Sequence, residues 1–87
     1  MERVEAELFT DAGNDAVVRL PGRRFPGVLV QGDTLRILSA DVAELVELCA
    51  AGDLEARQAA SLIQEELGAK LQRYTDALDA HGERHPF

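Results

Sequence analysis

The period of the hydrophobic pattern changes near residue 39, and this change constrains the fold more than any other feature of the sequence. Before it, residues 3–9 alternate between apolar and charged side chains, and residues 16–20 are rich in β-branched valine, as in half-buried strands. After it, apolar side chains recur every three or four residues, as on one face of a helix. The sequence therefore predicts an α+β fold with the strands first and the helices second.

Turn signals divide the first half, residues 1–38, into two predicted antiparallel β-hairpins. The Gly, Asn and Asp residues at 11–15 are typical of a turn between two strands. Gly32-Asp33 separates the apolar runs 28–31 and 34–38, and glycine supplies the positive φ that tight hairpin turns require. We expect the two hairpins to form one small sheet whose face is covered by helices, because an isolated hairpin is marginally stable.

Two helices are predicted in residues 39–82, with a short tail at 83–87. Asp41 or Ser39 is expected to cap the first helix, and Gly52 to end it in a left-handed conformation. Because 87 residues provide too little chain for two independent cores, residues 1–87 are predicted to be a single domain.

The second predicted helix, residues 54–81, is long and carries a narrow apolar seam. A continuous helix of this length would extend about 42 Å, although Gly68 inside it is a candidate kink or break. Either the seam covers the sheet, or its far part packs against a second copy of the chain. The seam residues assigned to such a homodimer are Ile63, Leu67, Leu71, Tyr74 and Leu78, whose spacing is close to that of a coiled coil.

The formal net charge of −7 is concentrated in the second half, where residues 39–87 carry −6 and residues 1–38 carry −1. An acidic surface repels phosphate backbones and anionic lipids, and few aromatic side chains are present for base stacking. We therefore expect no nucleic-acid binding and no membrane binding. The acidic helix faces are either solvated surface or a match for a basic protein partner, as in immunity and anti-regulator proteins.

Several features predict a cytoplasmic protein. No run approaches the roughly 20 apolar residues of a membrane span, and residues 1–5 are charged rather than signal-like. The single cysteine cannot form an intramolecular disulfide bond. The preference for Arg over Lys further suggests a bacterium with a GC-rich genome.

The least ordinary segment is residues 21–27, PGRRFPG, which we call the arch. Each Pro-Gly pair has the chemistry of a type II turn, so a short, stiff loop would present Arg23, Arg24 and Phe25. A stiff loop loses little entropy on binding, and arginine makes bidentate contacts with carboxylate or phosphate. These three residues are therefore the predicted contact for a protein partner or a small anion. In the alternative, the arch only connects hairpins and its arginines pair with the chain's own acidic helices.

The run RLPGRRFPGVLVQGDTL at residues 19–35 resembles the signature of a family of short bacterial proteins that is catalogued as a domain of unknown function. The acidic helical segment, residues 40–81, is similar in character, so the resemblance covers most of the chain. It implies a stand-alone protein of about this length. It implies no activity, cofactor or site residue.

No constellation for catalysis, cofactor binding or metal binding is recognised, so we predict no enzyme, no cofactor and no metal. Cys49 lies on the predicted apolar face of the first helix, and no basic residue near it in sequence would activate the thiol, which favours core packing. His81 and His85 have a helical metal-ligand spacing, but Gly82 and Pro86 break the helix there and no further ligand is evident.

These observations together predict a non-enzymatic, acidic protein-interaction or regulatory module, of which an immunity-like or antitoxin-like protein is one version. It would contact an unknown protein partner through the arch or through the acidic helices. The alternatives are a regulatory domain that binds a small anion at the arch, and a purely structural subunit of a homo-oligomer.

Overall fold

The computed structural model describes all of residues 1–87 and contains three strands and two helices. The elements are β1 (Glu7–Leu8), β2 (Ala16–Arg19), β3 (Gly27–Leu29), α1 (Gly32–Ala50) and α2 (Ala56–Ala80). This order confirms the predicted α+β class, in which an antiparallel sheet precedes two helices and the second helix is long. Neither helix contains a segment that is long and apolar enough to cross a membrane.

The chain divides into two compact units that share α2. The first unit, Met1–Val30 with Lys70–Phe87, combines the sheet with the last part of α2 and the C-terminal residues. The second unit, Gln31–Ala69, contains α1 and the first part of α2 and is called the helical hairpin below. That all 87 residues form a single domain stays a prediction.

The sheet has the order β1-β2-β3, and both pairings are antiparallel. In the central strand, Val18 lies opposite Leu8 of β1 on one side and opposite Gly27 of β3 on the other. β1 is much shorter than the alternating pattern of residues 3–9 predicted. Further pairing toward the N-terminus would require partners beyond Arg19, where Pro21 has no N–H group and the chain turns away.

The core of the first unit forms where the last part of α2 covers β2. Val17 and Leu78 have no exposed surface, and Tyr74 and Ala77 complete the buried cluster. Phe9, together with Val28, packs against this cluster from the neighbouring parts of the sheet. Of the seam that was expected to cover the sheet, Tyr74 and Leu78 do so.

The predicted hairpin between residues 28–31 and 34–38 is wrong, because Gly32-Asp33 begins α1 instead of turning a strand. The N–H of Leu35 donates to the carbonyl oxygen of Gln31 at 2.9 Å, and the Asp33 carboxylate accepts from the N–H of Thr34 at 2.8 Å. A segment as short as residues 34–38 fits both the two-residue period of a strand and the 3.6-residue period of a helix. The helix is favoured because its inward positions continue at helical spacing through residues 34, 38, 41, 45 and 48.

This correction also moves the start of the first helix, which begins at Gly32 and not at Asp41 or Ser39. The ends of both helices are as predicted. Gly52 and Gly82 adopt the left-handed conformation, with φ of 68° and 65°. In each case the next residue's N–H reaches back to a helical carbonyl, from Asp53 to Leu48 and from Glu83 to Leu78, both at 2.9 Å. These are the hydrogen bonds of a Schellman motif.

α2 continues through Gly68 without a break, over 25 residues. A Cβ atom built at Gly68 would meet no neighbouring atom within 4 Å, so the glycine is not required by close packing. At the start of α2, the Asp53 carboxylate accepts from the N–H of Glu55 at 2.9 Å, as expected of a capping aspartate.

Candidate binding surfaces

The arch leaves β2 through a tight turn and returns directly into β3. Gly22 has a φ of 78°, and the N–H of Arg23 donates to the carbonyl oxygen of Leu20 at 3.1 Å, as in the predicted type II turn at Pro21-Gly22. The second predicted turn, at Pro26-Gly27, is wrong: Gly27 does not have a positive φ, because it already belongs to β3 and pairs with Val18.

Two side chains outside the arch hold its backbone in place. The Tyr74 hydroxyl donates to the carbonyl oxygen of Pro26 at 2.8 Å, and the Arg19 guanidinium donates to that of Arg24 at 3.4 Å. Burial of the Tyr74 ring raises the pKa of its hydroxyl, so the hydroxyl stays protonated and able to donate at neutral pH. The arch is thus fastened to α2 at Pro26 and to β2 at Arg24.

The three predicted contact residues lie close together on this fastened loop. Arg23 and Arg24 are exposed, whereas Phe25 is half-buried. The Arg24 guanidinium lies 5.3 Å from the centre of the Phe25 ring, which is within the range of a cation–π contact. Neither arginine takes part in any of the ion pairs of the structure, so the alternative in which they pair with the chain's own carboxylates is wrong.

Arg19 is the charged centre of the first unit, although no sequence pattern marked it as a functional residue. Its guanidinium contacts Glu7 at 2.8 Å and Glu83 at 3.3 Å and lies 5.3 Å from the centre of the Phe9 ring. Hydrogen bonds from Arg19 hold the pKa of Glu7 below its ordinary value, and those with Glu7 and Glu83 raise the pKa of Arg19. The signal available in the sequence was an arginine two residues before the arch, but its partner Glu83 is 64 positions away.

The remaining basic groups of the first unit also include intramolecular anchors. The Lys70 ammonium donates to both carboxylate oxygens of Asp15, at 2.9 and 3.0 Å. Arg73 contacts the Asp11 carboxylate at 3.0 Å and the backbone carbonyl of Asp15 at 3.1 Å. These contacts fasten the turn between β1 and β2 to α2. Arg23 and Arg24, in contrast, are adjacent cations of the first unit that have no acidic partner.

The predicted dimer seam has two different environments. Tyr74 and Leu78 are buried in the core of the first unit. Leu67 and Leu71 expose 53% and 52% of their surface, and Ile63 is half-buried within the helical hairpin. Only the part of the seam before Tyr74 therefore remains accessible to another molecule.

The helical hairpin carries most of the chain's charge. Gln31–Ala69 contains eight acidic residues and two basic ones, Arg36 and Arg57, so its net charge is −6 of the total −7. None of its carboxylates forms an ion pair. Its acidic groups therefore repel one another without compensation, and a cationic partner would relieve this repulsion.

The helical hairpin also leaves most of its large apolar side chains exposed. Leu38 is its one buried residue. A half-exposed leucine or valine still gains about 1 kcal/mol from complete burial. Exposed apolar surface that lies beside polar groups, as at Leu62 in the groove described below, typically marks an interaction site. The large apolar residues exposed in the hairpin are Leu35, Ile37, Val42, Val46, Leu54, Leu62 and Leu67.

One open groove of about 360 Å³ lies between α1 and the first part of α2. Its apolar lining residues, called the floor below, are Leu48, Ala59, Leu62 and Ile63. Its polar lining residues, called the rim below, comprise four carboxylates and the amide of Gln58, with no basic side chain. The rim carboxylates belong to Asp41, Glu44, Glu55 and Glu66. The groove therefore offers apolar area and negative charge together.

Cys49 does not pack in the core as predicted, because it is exposed on α1. The inward row of α1 includes Leu45 and Leu48, and Cys49 belongs to the adjoining outward row with Val42 and Val46. The earlier helix start explains the error, since it adds Thr34 and Leu38 to the pattern and moves the centre of the apolar face.

The two histidines have separate partners. The His81 ring contacts the backbone carbonyl of Ala77 through Nδ1 at 2.9 Å and stacks edge-on against Phe9 at 5.0 Å between ring centres. The His85 ring contacts the Asp79 carboxylate through Nε2 at 2.7 Å. No group of three or more His, Cys, Asp or Glu side chains is arranged to hold a metal ion.

Comparison with known proteins yields one match. No curated protein and no solved structure is significantly similar to the chain. The family model described as "Family of unknown function (DUF6959)" matches residues 1–87, the whole sequence. The predicted resemblance to a family of unknown function is therefore confirmed, and the chain belongs to this family.

Proposed function

We propose that this protein is a non-enzymatic protein-interaction module that binds a partner protein through its helical hairpin. The observation that carries the proposal is the composition of that unit, which combines a net charge of −6 with seven exposed large apolar side chains and one buried residue. A self-sufficient helical pair would bury more of its apolar surface. An immunity-like or antitoxin-like role is one specific version, in which a single basic protein is the partner.

The charge of the hairpin argues for a foreign partner over a second copy. Two hairpins brought face to face would each carry −6, and their like charges would oppose association at close range. A basic partner gains from the same field, which also accelerates its approach. The homodimer predicted from the seam is therefore the less favoured form of the proposal.

The single native cysteine offers a direct test. Cys49 is exposed on α1 beside Leu48 of the groove, so a photo-activatable crosslinker can be attached there without any substitution. Irradiation in extracts of cells that naturally express the protein should produce one dominant adduct, identified by mass spectrometry. A basic protein crosslinked through the hairpin is the expected result.

The matched control moves the same crosslinker to the arch in a Cys49→Ser/Arg23→Cys variant. If the hairpin is the interface, the adduct forms from Cys49 and is weak or absent from position 23. An adduct formed only from position 23 would transfer the interface to the arch. Absence of any specific adduct from both positions, in a protein that remains folded by circular dichroism, would contradict an interaction module.

A second candidate function is binding of a small anion at the arch, supported by the two unpaired arginines on a loop whose backbone is held at Arg24 and Pro26. It predicts that dicarboxylates or inorganic phosphate raise the melting temperature of the wild type and not that of Arg23→Ala/Arg24→Ala. The control, Arg36→Ala/Arg57→Ala, removes two arginines from the hairpin and should retain the shift. A panel of such anions without effect on the wild type would remove this candidate.

A further inference from the structure

We infer that the groove of the helical hairpin binds a basic amphipathic helix of the partner protein. This inference rests on the proposed function and goes beyond it by assigning both the site and the chemistry of its occupant. It follows from three properties of the groove: the apolar floor, the acidic rim, and the secondary structure of its walls.

The walls of the groove require a helical occupant. Both are helices, whose backbone N–H and C=O groups are hydrogen-bonded within α1 and α2. They offer no free strand edge to an extended peptide, so such a peptide would bury its own backbone groups on the apolar floor without partners. A helix satisfies its backbone internally and can lie between two others with an apolar stripe facing inward.

The rim determines the charge of the occupant. Glu44 comes from α1, Glu55 directly precedes α2, and Glu66 lies within α2. Because no basic side chain lies among them, a helix with Lys or Arg on both flanks of its apolar stripe would pair with carboxylates on both sides. An acidic or neutral helix of the same shape would leave these charges desolvated and unpaired.

The dimensions of the groove determine the length of the occupant. The lining residues on this side extend from Glu55, which directly precedes α2, to Glu66 within α2, and eleven helical steps correspond to about 16 Å. This distance accommodates about three helical turns. The floor, centred on Leu62 and Ile63, would receive two or three large apolar side chains at positions three or four apart.

A synthetic probe tests the inference on the full chain. The probe is a helical peptide of about 14 residues, with leucine at every third or fourth position and lysine on both flanks. One control peptide has the same composition in an order without a helical apolar stripe, and another has glutamate in place of lysine. Fluorescence anisotropy at low salt should show micromolar binding of the probe and at least about ten-fold weaker binding of both controls.

Matched variants then locate the site. Glu44→Gln/Glu66→Gln removes two rim charges and should weaken probe binding about ten-fold at low salt. Glu47→Gln/Glu65→Gln changes the net charge equally on the same two helices but outside the groove, and should weaken it less than about two-fold.

The floor is tested by a second pair of variants. Leu62→Ala truncates an exposed floor residue and should weaken binding several-fold, whereas Leu35→Ala truncates an equally exposed leucine outside the groove and should not. Equal effects within either pair would overturn the inference, because binding would then be diffuse attraction or general hydrophobic adsorption.

The remaining outcomes separate this inference from the proposed function. If Cys49 captures a natural partner that the basic probe does not displace, the interaction module stands and the helical occupant is wrong. If sedimentation shows a wild-type dimer that Leu62→Ala dissociates, a second copy occupies the groove and the inference is overturned. Displacement of the natural partner by the probe, and not by its controls, supports the inference.

Discussion

Truncating Leu78 and Leu71 in turn measures how the apolar seam of α2 is divided between core and surface. Leu78 has no exposed surface and packs with Val17 and Tyr74, whereas Leu71 lies about two turns earlier on the same helix and exposes 52% of its surface. Both can be replaced by alanine, which favours the helix at either position. The two variants therefore differ mainly in the environment of the removed atoms.

The expected magnitudes follow from burial. Leu78→Ala removes fully buried atoms and leaves a cavity between helix and sheet, which costs about 3 kcal/mol. Leu71→Ala removes half-exposed atoms, leaves no closed cavity and should cost less than about 1 kcal/mol. For a chain of 87 residues these losses correspond to decreases in melting temperature of about 15 °C and less than about 5 °C.

Far-UV circular dichroism is the suitable assay because the chain contains no tryptophan. Melts recorded at two protein concentrations, about ten-fold apart, separate a core from an oligomer interface. Similar losses for both variants would refute the division of the seam. A large loss for Leu71→Ala, with a midpoint that rises with concentration, would show that a second copy buries the outer part of the seam.

Three further predictions concern individual residues. Tyr74→Phe removes the hydrogen bond to the arch and leaves the Pro26 carbonyl unsatisfied. Urea denaturation should therefore show a free energy of unfolding that is lower by about 1 kcal/mol, and amide hydrogen exchange should become faster in residues 21–27. The lowered pKa of Glu7 means that its pairing with Arg19 stabilises the fold above about pH 4.3, and this contribution is lost as the pH falls through the lower folded-state value. Glu7→Gln should therefore flatten the stability profile below about pH 4.3, as measured by urea midpoints between about pH 3 and 6; an unchanged profile would contradict the pairing. Gly68→Ala should stabilise the chain by up to about 1 kcal/mol, because Gly68 lies in open space within a helix. Gly52→Ala should destabilise the chain by about 1 kcal/mol, because the φ of Gly52 is 68°. Thermal melts should therefore shift in opposite directions for the two variants, and shifts in the same direction would contradict the assigned conformations.

The division of charge between the two units links these predictions to the proposed function. The first unit, which contains the sheet, forms ion pairs through Arg19, Lys70 and Arg73 and carries a net charge of only −1. The helical hairpin carries −6 without ion pairs. Substitution of the paired charges in the first unit should therefore alter stability, whereas charge substitutions in the helical hairpin should alter binding more than folding.

The sequence alone predicted the structure correctly where the interactions that determine it are local. Gly52 and Gly82 end the helices because a left-handed residue is needed there and glycine adopts it without strain. Asp53 caps α2 through its own side chain, and Pro21-Gly22 turns the arch through its own φ values. The α+β class followed from the period of the apolar pattern over segments long enough to distinguish strand from helix.

Only the tertiary structure decided the segments whose local pattern was ambiguous. Residues 34–38 are compatible with a strand or a helix, and their helical form is favoured by the inward row that they share with the rest of α1. Cys49 became exposed for the same reason, because a longer helix changes which row faces inward.

The partners of the charged side chains were likewise decided by tertiary structure. Arg19 meets Glu83, and Lys70 meets Asp15, across 64 and 55 positions of sequence. The seam of α2 is continuous in sequence, but only Tyr74 and Leu78 meet the sheet, because three short strands cover only the last part of so long a helix. Composition and the period of the apolar pattern determine which strands and helices form. The small size of the sheet determines how much of the surface of α2 stays exposed and can contact another molecule.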